Sequence, residues 1–309
     1  MPKAPRNRTL RLTSREMARL RPALLSCSSL RPREGGFLDR VVCGEMREAL
    51  SRLPAGFAHL AVVDPPYNLT KTYAGRVFQR RSAAAYAAWV EEWLPLVERA
   101  LVPEGSLYVC ADWRMGGVLQ PALESRFVVR NRITWEREKG RGALANWKNA
   151  SEDIWFCTRS RTRYHFDVQG VKMRRRVLAP YRAAGRPKDW EETPSGRFRL
   201  THPSNLWTDL VVPFWSMPEN TDHPAQKPEK LVAKLVLASS RPGDVVLDPF
   251  LGSGTTAVVA RKLGRRFVGI EMEEAYACLA LRRLELAERS PAIQGMESGV
   301  FWERNSSPA

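Results

Sequence analysis

The stretch HLAVVDPPYNLT, residues 59–70, closes an apolar run on Asp64, Pro65, Pro66 and Tyr67. Two consecutive prolines remove two backbone donors and fix two φ angles, so no central strand continues through them. The run therefore ends in a carboxylate, a rigid pair of backbone carbonyls and an aromatic ring. Such groups accept hydrogen bonds, favour positive charge and stack on a flat partner. That is the chemistry of a site rather than of a sheet.

A second segment with chemical content is DVVLDPFLGSGTT, residues 244–256. An aliphatic strand ends on Asp248, a loop follows with Gly252 and Gly254, and a helix opens on Thr255 and Thr256. In a parallel sheet, ligands bind beyond the carboxyl ends of strands, and glycines there let the backbone approach a ligand closely. About 20 residues further on, RFVGIE ends in Glu271, placed like the acid that grips ribose hydroxyls in nucleotide folds. Together these features point to a nucleoside-bearing cofactor. The loop reads GSGTTA, which meets the dinucleotide fingerprint only with its last glycine relaxed to alanine, so a nicotinamide dinucleotide is disfavoured.

Composition bounds the partners. Among 309 residues, 49 Lys+Arg against 33 Asp+Glu give a formal charge of +16. With a pI near 10.1, this points to a polyanion, nucleic acid ahead of an acidic membrane. Cys27, Cys43, Cys110, Cys157 and Cys278 form no C-x-x-C pair, and the four histidines have no metal-ligand spacing. Neither a disulfide framework nor a metal site is expected, and a reducing cytoplasm fits. No apolar run is long enough to span a bilayer, and the basic N-terminus lacks the apolar core of a signal peptide. The expectation is a cytoplasmic protein, neither exported nor embedded in a membrane.

The elements that must position these residues follow from periodicity. RVVCGEMREALSRLP reads strand, turn, helix, and FAHLAVV reads as a second strand running into the double proline. AAAYAAWVEEWLPLVERALV has helical spacing, and further strands are expected at PEGSLYVCADW, FVVRNRITWE and SEDIWFCTR. Residues 223–288 alternate helix and strand with short joints, which argues for a parallel sheet covered on both faces. Between 158 and 205 periodicity fades, and 12 Lys/Arg stand against 4 Asp/Glu, a net +8. The expected architecture is a doubly wound, mostly parallel α/β core from residues 36–157 and 223–288. A basic insert, 158–222, interrupts it as a candidate substrate-reading module. Residues 1–35 read as a mobile basic arm with one short helix around SREMARLRPALL. The tail, 289–309, reads as poorly ordered in part, with Phe301 and Trp302 able to dock.

DPPYNL, HPAQKP (residues 223–228) and VLDPFLGSGTT, in that order, resemble the DNA amino-methyltransferases of the β arrangement. In that family the catalytic motif precedes the cofactor loop and a target-recognition region lies between them. The resemblance covers roughly residues 36–288, and the three motifs in this order are specific. It implies a Rossmann-like methyltransferase core, S-adenosylmethionine as cofactor and methyl transfer to an exocyclic amine of a base in duplex DNA. Carried over, Asp64, Pro65, Pro66 and Tyr67 form the catalytic motif. Asp248, Phe250, Gly252, Gly254 and Thr255 line the cofactor, and Glu271 holds its ribose hydroxyls. His223, Gln226 and Lys227 seat the methionine end, with Lys227 facing the carboxylate. Glu45 stands where the family often has Asp near the adenine, and Ala225 where it commonly has Thr. No metal is implied, while a cognate restriction endonuclease and a homodimer are partners the resemblance allows.

This chemistry accounts for the double proline. An exocyclic amine is a poor nucleophile because its lone pair is delocalised into the ring. If Asp64 and the Pro65 carbonyl each accept one N–H, they favour a pyramidal nitrogen whose lone pair faces the methyl donor, and the prolines fix that carbonyl in advance. Tyr67 offers a face for a base taken out of the helix. Asp at the head of the motif leans to adenine N6, cytosine N4 being the alternative. A catalytically silent DNA-binding protein, an RNA substrate and a nicotinamide oxidoreductase are the competing classes, the last accounting for neither DPPY nor the charge.

Overall fold

The computed structural model describes residues 6–31, 35–73, 76–137, 145–178 and 181–303. Its strands in chain order are β1 (Leu25–Ser26), β2 (Arg40–Cys43), β3 (Ala58–Val63), β4 (Lys71–Tyr73), β5 (Arg76–Phe78), β6 (Leu101–Ala111), β7 (Val128–Glu136), β8 (Ser151–Thr158) and β9 (Met173–Arg176). They continue as β10 (Arg182–Ala183), β11 (Arg186–Pro187), β12 (Glu191–Thr193), β13 (Gly196–Thr201), β14 (Leu206–Trp207), β15 (Val245–Asp248), β16 (Arg266–Glu271), β17 (Met296–Glu297) and β18 (Val300–Trp302). The α-helices are α1 (Ser14–Leu20), α2 (Met46–Arg52), α3 (Ala83–Ala100), α4 (Gly116–Glu124), α5 (Glu229–Ser239), α6 (Thr255–Lys262) and α7 (Glu274–Arg289).

Nine strands form the main sheet in the order β1-β2-β16-β15-β3-β6-β8-β7-β14. Every described pairing in it is parallel except those of β8, which runs against both β6 and β7. The strands are aliphatic on both faces because both faces are covered. Along β3, Leu60 and Val62 enter the core beneath α5, α6 and α7, whereas Ala61 and Val63 enter the one beneath α2, α3 and α4. The two-residue alternation of a strand thus feeds two apolar layers. Helix α3 follows the same logic with a period of 3.6: the Ser82 side chain accepts from the Ala85 N–H to cap it, and Tyr86, Val90, Trp93, Leu94 and Val97 are buried. The doubly wound, mostly parallel α/β core is present as expected.

Chain order reverses between β15 and β3. From β15 the chain proceeds outward to β16, and from β3 it proceeds outward on the other side to β6. The carboxyl ends of these two neighbours carry Asp248 and Asp64. A crevice is forced there, since the connections leave in opposite directions.

The basic segment and the tail together build a second sheet, β12-β13-β9-β18-β17, and β14 returns the chain to the edge of the main sheet beside β7. Two lysines of α5 join the two sheets. Lys230 and Lys234 meet the buried Asp209 carboxylate at 2.8 and 2.7 Å, and Lys230 also donates to the Trp302 carbonyl. Burial pushes Lys234 down to about 8 against the pull of Asp209.

Both ends of the chain are more organised than the sequence suggests. Residues 1–5, 32–34 and 304–309 lie outside the described residues. Within 6–31, α1 has a capping box between Thr13 and Glu16, and β1 extends the main sheet. Arg8 and Leu10 donate backbone hydrogen bonds to the carbonyls of Trp215 and Asn220, at 2.6 and 2.8 Å. The partners of this basic segment lie about two hundred residues away, which is why local periodicity reads it as a mobile arm. In the tail, β18 pairs with β9, and Phe301 is fully buried. Phe301→Ala is expected to cost about 3–5 kcal/mol, read from the denaturant midpoint, whereas a frayed tail would give no change.

Candidate active site

The crevice at the reversal is a cavity of about 470 Å³. Of the residues expected at a site, Glu45, Asp64, Pro65, Pro66, Tyr67, His223, Gln226, Lys227, Asp248, Phe250, Gly252, Thr255 and Glu271 line it. Gly254 does not. A Cβ at Gly254 would lie 2.6 Å from the Cβ of Ala280, and its φ of +86° starts α6. It permits close packing of α6 on α7, a contact that its place in the loop does not reveal. Gly252, by contrast, faces the cavity, where a Cβ would come within 3.1 Å of the His223 ring.

Hydrogen bonds hold the double proline from both sides. The Tyr86 hydroxyl donates to the Pro66 carbonyl at 3.2 Å, fixing the turn. Asn68 holds it from the other side, giving a hydrogen bond to the Arg81 carbonyl and accepting one from the Arg81 N–H, at 2.9 and 2.7 Å. Among the described residues the Pro65 carbonyl accepts no hydrogen bond, and Asp64 Oδ1 is buried without a partner. Two acceptors without a donor are therefore left on residues that line the cavity.

Asp64 Oδ2 is taken by Lys227, whose Nζ donates to it at 2.6 Å. Its ammonium also lies 5.2 Å from the centre of the Tyr67 ring, while Lys227 lines the cavity. The Gln226 side-chain carbonyl accepts from the N–H and hydroxyl of Thr221, at 2.9 and 2.7 Å, and its amide donates to the Glu219 carbonyl at 2.7 Å. Its polar atoms brace the loop. Glu45 caps α2, accepting from the N–H groups of Arg47 and Glu48 while lining the cavity. Thr255 donates to the Lys227 carbonyl at 3.1 Å and so ties this loop to α6.

Burial sets the electrostatics of the other end. Asp248 is pushed up to about 7 by burial, against hydrogen bonds from Thr256 and the Phe250 N–H. Glu271 is raised by burial, and its two oxygens accept from the N–H groups of Gly252 and Glu273 at 2.7 and 2.9 Å. His223 is pushed down to about 4 by burial and is neutral, with Nδ1 accepting from the Ala225 N–H at 3.3 Å. Phe250 packs edge-on to Trp93, with ring centroids 5.8 Å apart.

Two residues not expected from the sequence complete the site. Glu152, 3% exposed, accepts from the Tyr67 hydroxyl at 3.1 Å, stands 3.5 Å from Lys227 Nζ and contacts the Arg137 guanidinium. Because β8 runs against its neighbours, the residues that begin it lie at the carboxyl ends of theirs. The only local signal is an acidic pair, Glu152–Asp153, opening an otherwise apolar strand. No group of three or more acids, histidines or cysteines suited to a metal occurs among the described residues, and no described helix is long and apolar enough to cross a membrane.

A family model described as a DNA methylase, of the N6/N4 type, matches residues 58–282. The chain belongs to the N6/N4 DNA methylases. Among its relatives in this family, the DNA adenine methyltransferase YhdJ of Escherichia coli (strain K12) is 30% identical over 266 residues, spanning 84% of this chain and 87% of the relative. The M1.HpyAVI–SAM complex has a similar fold, with a TM-score of 0.53 and 22% identity over 79% of this chain and 98% of that one. The cytosine-N4-specific PvuII DNA methyltransferase scores 0.56 at 18% identity, over 87% and 95%. The DNA methylase core thus coincides with the sheet and the crevice described above.

The pKa of Asp248 has a consequence for stability. Since its folded value lies near 7 against the usual 3.8, the folded chain holds a proton there that the unfolded chain releases. Its contribution is fully present below the unfolded value and is lost as pH rises through about 7. Asp248→Asn is expected to flatten the fall in stability between pH 5 and pH 8, measured as denaturant midpoints.

Proposed function

We propose that this DNA methylase transfers a methyl group from S-adenosylmethionine to the N6 amine of adenine in duplex DNA. The observation that carries the reading is the pair of acceptors without a donor, Asp64 Oδ1 and the Pro65 carbonyl, on residues that line a nucleoside-sized crevice. The base assignment is supported by the acid at the head of the motif and by the relative named as an adenine methyltransferase.

The residues fit the cofactor. A cavity of about 470 Å³ is within the range of small-ligand sites. Glu271, held by two backbone amides, retains lone pairs for hydroxyl donors. Gly252 leaves a bare backbone wall, and Phe250 supplies an apolar face. When bound, S-adenosylmethionine supplies an electrophilic methyl on a sulfonium.

The protein's part is to prepare the amine. Asp64 Oδ1 and the Pro65 carbonyl accept its two N–H groups, which localises the nitrogen lone pair out of the ring plane. Asp64 then stabilises the positive charge that grows on nitrogen, and the rigid double proline means that no reorganisation is needed at that moment. The Tyr67 ring carries the base face. The basic segment 158–222 is assigned to reading the target, with its arginines tracking phosphates.

The test is to incubate the protein with labelled S-adenosylmethionine and unmethylated DNA, digest to nucleosides and identify the labelled product by mass. N6-methyladenine is expected; N4-methylcytosine would keep the mechanism and overturn the base. Asp64→Ala is expected to lower kcat by roughly a thousandfold or more with cofactor Kd within about twofold. Normal turnover by that variant would sink the mechanism. Gly252→Val, which drives side-chain atoms toward His223, is expected to weaken cofactor binding at least roughly tenfold by calorimetry.

A further inference from the structure

The carboxylate of Glu152 lies deep beside the catalytic motif. Around it stand groups from several elements: Asp64 and Tyr67 after β3, Arg137 after β7 and Lys227 from the loop before α5. Asp64 and Glu152 together face Lys227 and Arg137, so two carboxylates meet two cations in a poorly solvated place. Side-chain exposures of 11% for Lys227 and 4% for Glu152 leave little water to screen them. A third cation, Lys71, stands close by, donating to the Pro224 carbonyl at 3.2 Å, and its pKa is pushed down by burial, then by Arg137 and Lys227. Three cations thus share this place with two carboxylates, and the reaction adds positive charge on the amine nitrogen.

We propose that Glu152 is a positioning residue of the methyl-transfer site: it fixes the Tyr67 ring through its hydroxyl and balances, with Asp64, the cations that surround the acceptor nitrogen. The inference rests on the functional reading above. Its geometric content is a three-way sharing. Tyr67 Oη is 3.1 Å from Oε2 of Glu152, Lys227 Nζ is 3.5 Å from that oxygen, and the same ammonium is 2.6 Å from Asp64 Oδ2. Lys227 is thereby drawn to one oxygen of Asp64, and the other is left for the substrate. Without the charge of Glu152, Lys227 and Arg137 would have one carboxylate fewer beside them, and a nitrogen gaining positive charge would meet a more positive site.

Two variants separate the roles. Glu152→Gln keeps the volume and an acceptor for the Tyr67 hydroxyl but removes the charge. It is expected to lower kcat roughly tenfold or more with cofactor Kd near that of the wild type, while the melting temperature falls because buried cations lose a carboxylate. Glu152→Asp keeps the charge, and so avoids leaving Arg137 unpaired if the Gln variant folds poorly, but falls short of Tyr67. Its kcat is expected between the other two, again at unchanged cofactor Kd. Wild-type turnover in both variants would overturn the proposal. So would a fall in kcat matched by a parallel loss of cofactor binding in both variants, which is what a merely structural acid would give. Failure of the wild-type chain itself to methylate any DNA would overturn the functional reading and this inference with it.

Discussion

The reversal of chain direction between β15 and β3 is the constraint from which the site follows. Parallel strands need crossovers, crossovers need helices, and two neighbouring strands whose helices leave in opposite directions cannot close the gap above their carboxyl ends. Asp248 and Asp64 stand at the two lips of that gap. Each end then receives its own treatment. The Gly252 side is walled by backbone and a buried, neutral His223, whereas the Asp64 side is crowded with charge. An end walled by backbone and an end where carboxylates and cations are paired suit a cofactor that gives a methyl group and an amine that must gain charge to take it.

Charge at the second end is held by compensation rather than by solvent. Desolvating a carboxylate or an ammonium costs several kcal/mol each, and the cluster of Asp64, Glu152, Lys227 and Arg137 meets that cost by pairing every charge. A similar device recurs where α5 meets the basic segment, with Lys230 and Lys234 on Asp209. In both places the paired groups come from elements distant in sequence, so the pairs fix the relative placement of the main sheet and what is attached to it.

What could be read from the sequence was what is local in it. DPPY and the Gly loop announce themselves because prolines, glycines and strand-end acids act through their own φ, ψ and donors. The doubly wound core was legible for the same reason, since periods of 2 and 3.6 are carried by short windows. Glu152 was not, because its place depends on one antiparallel strand that brings the start of a segment to where its neighbours end. Gly254 shares a motif with Gly252 but serves the contact with Ala280. The order of residues 6–31 was also hidden, since it comes from pairing with residues 215–221.

That last contact bears on how the two halves of the reaction are joined. The N-terminal segment, through Leu10 and the bridge to Thr221, supports the loop in which Gln226 clasps Thr221. Thr255 fastens the same loop to the first turn of α6, and Lys227 at its far end sits on Asp64. One short segment thus touches the Gly loop on one side and the catalytic motif on the other. Pro224 and Pro228 bound this loop, so its backbone has few free torsions with which to separate the two contacts. The Gly loop and the DPPY turn are in this architecture held in register by residues 223–227 as well as by the sheet.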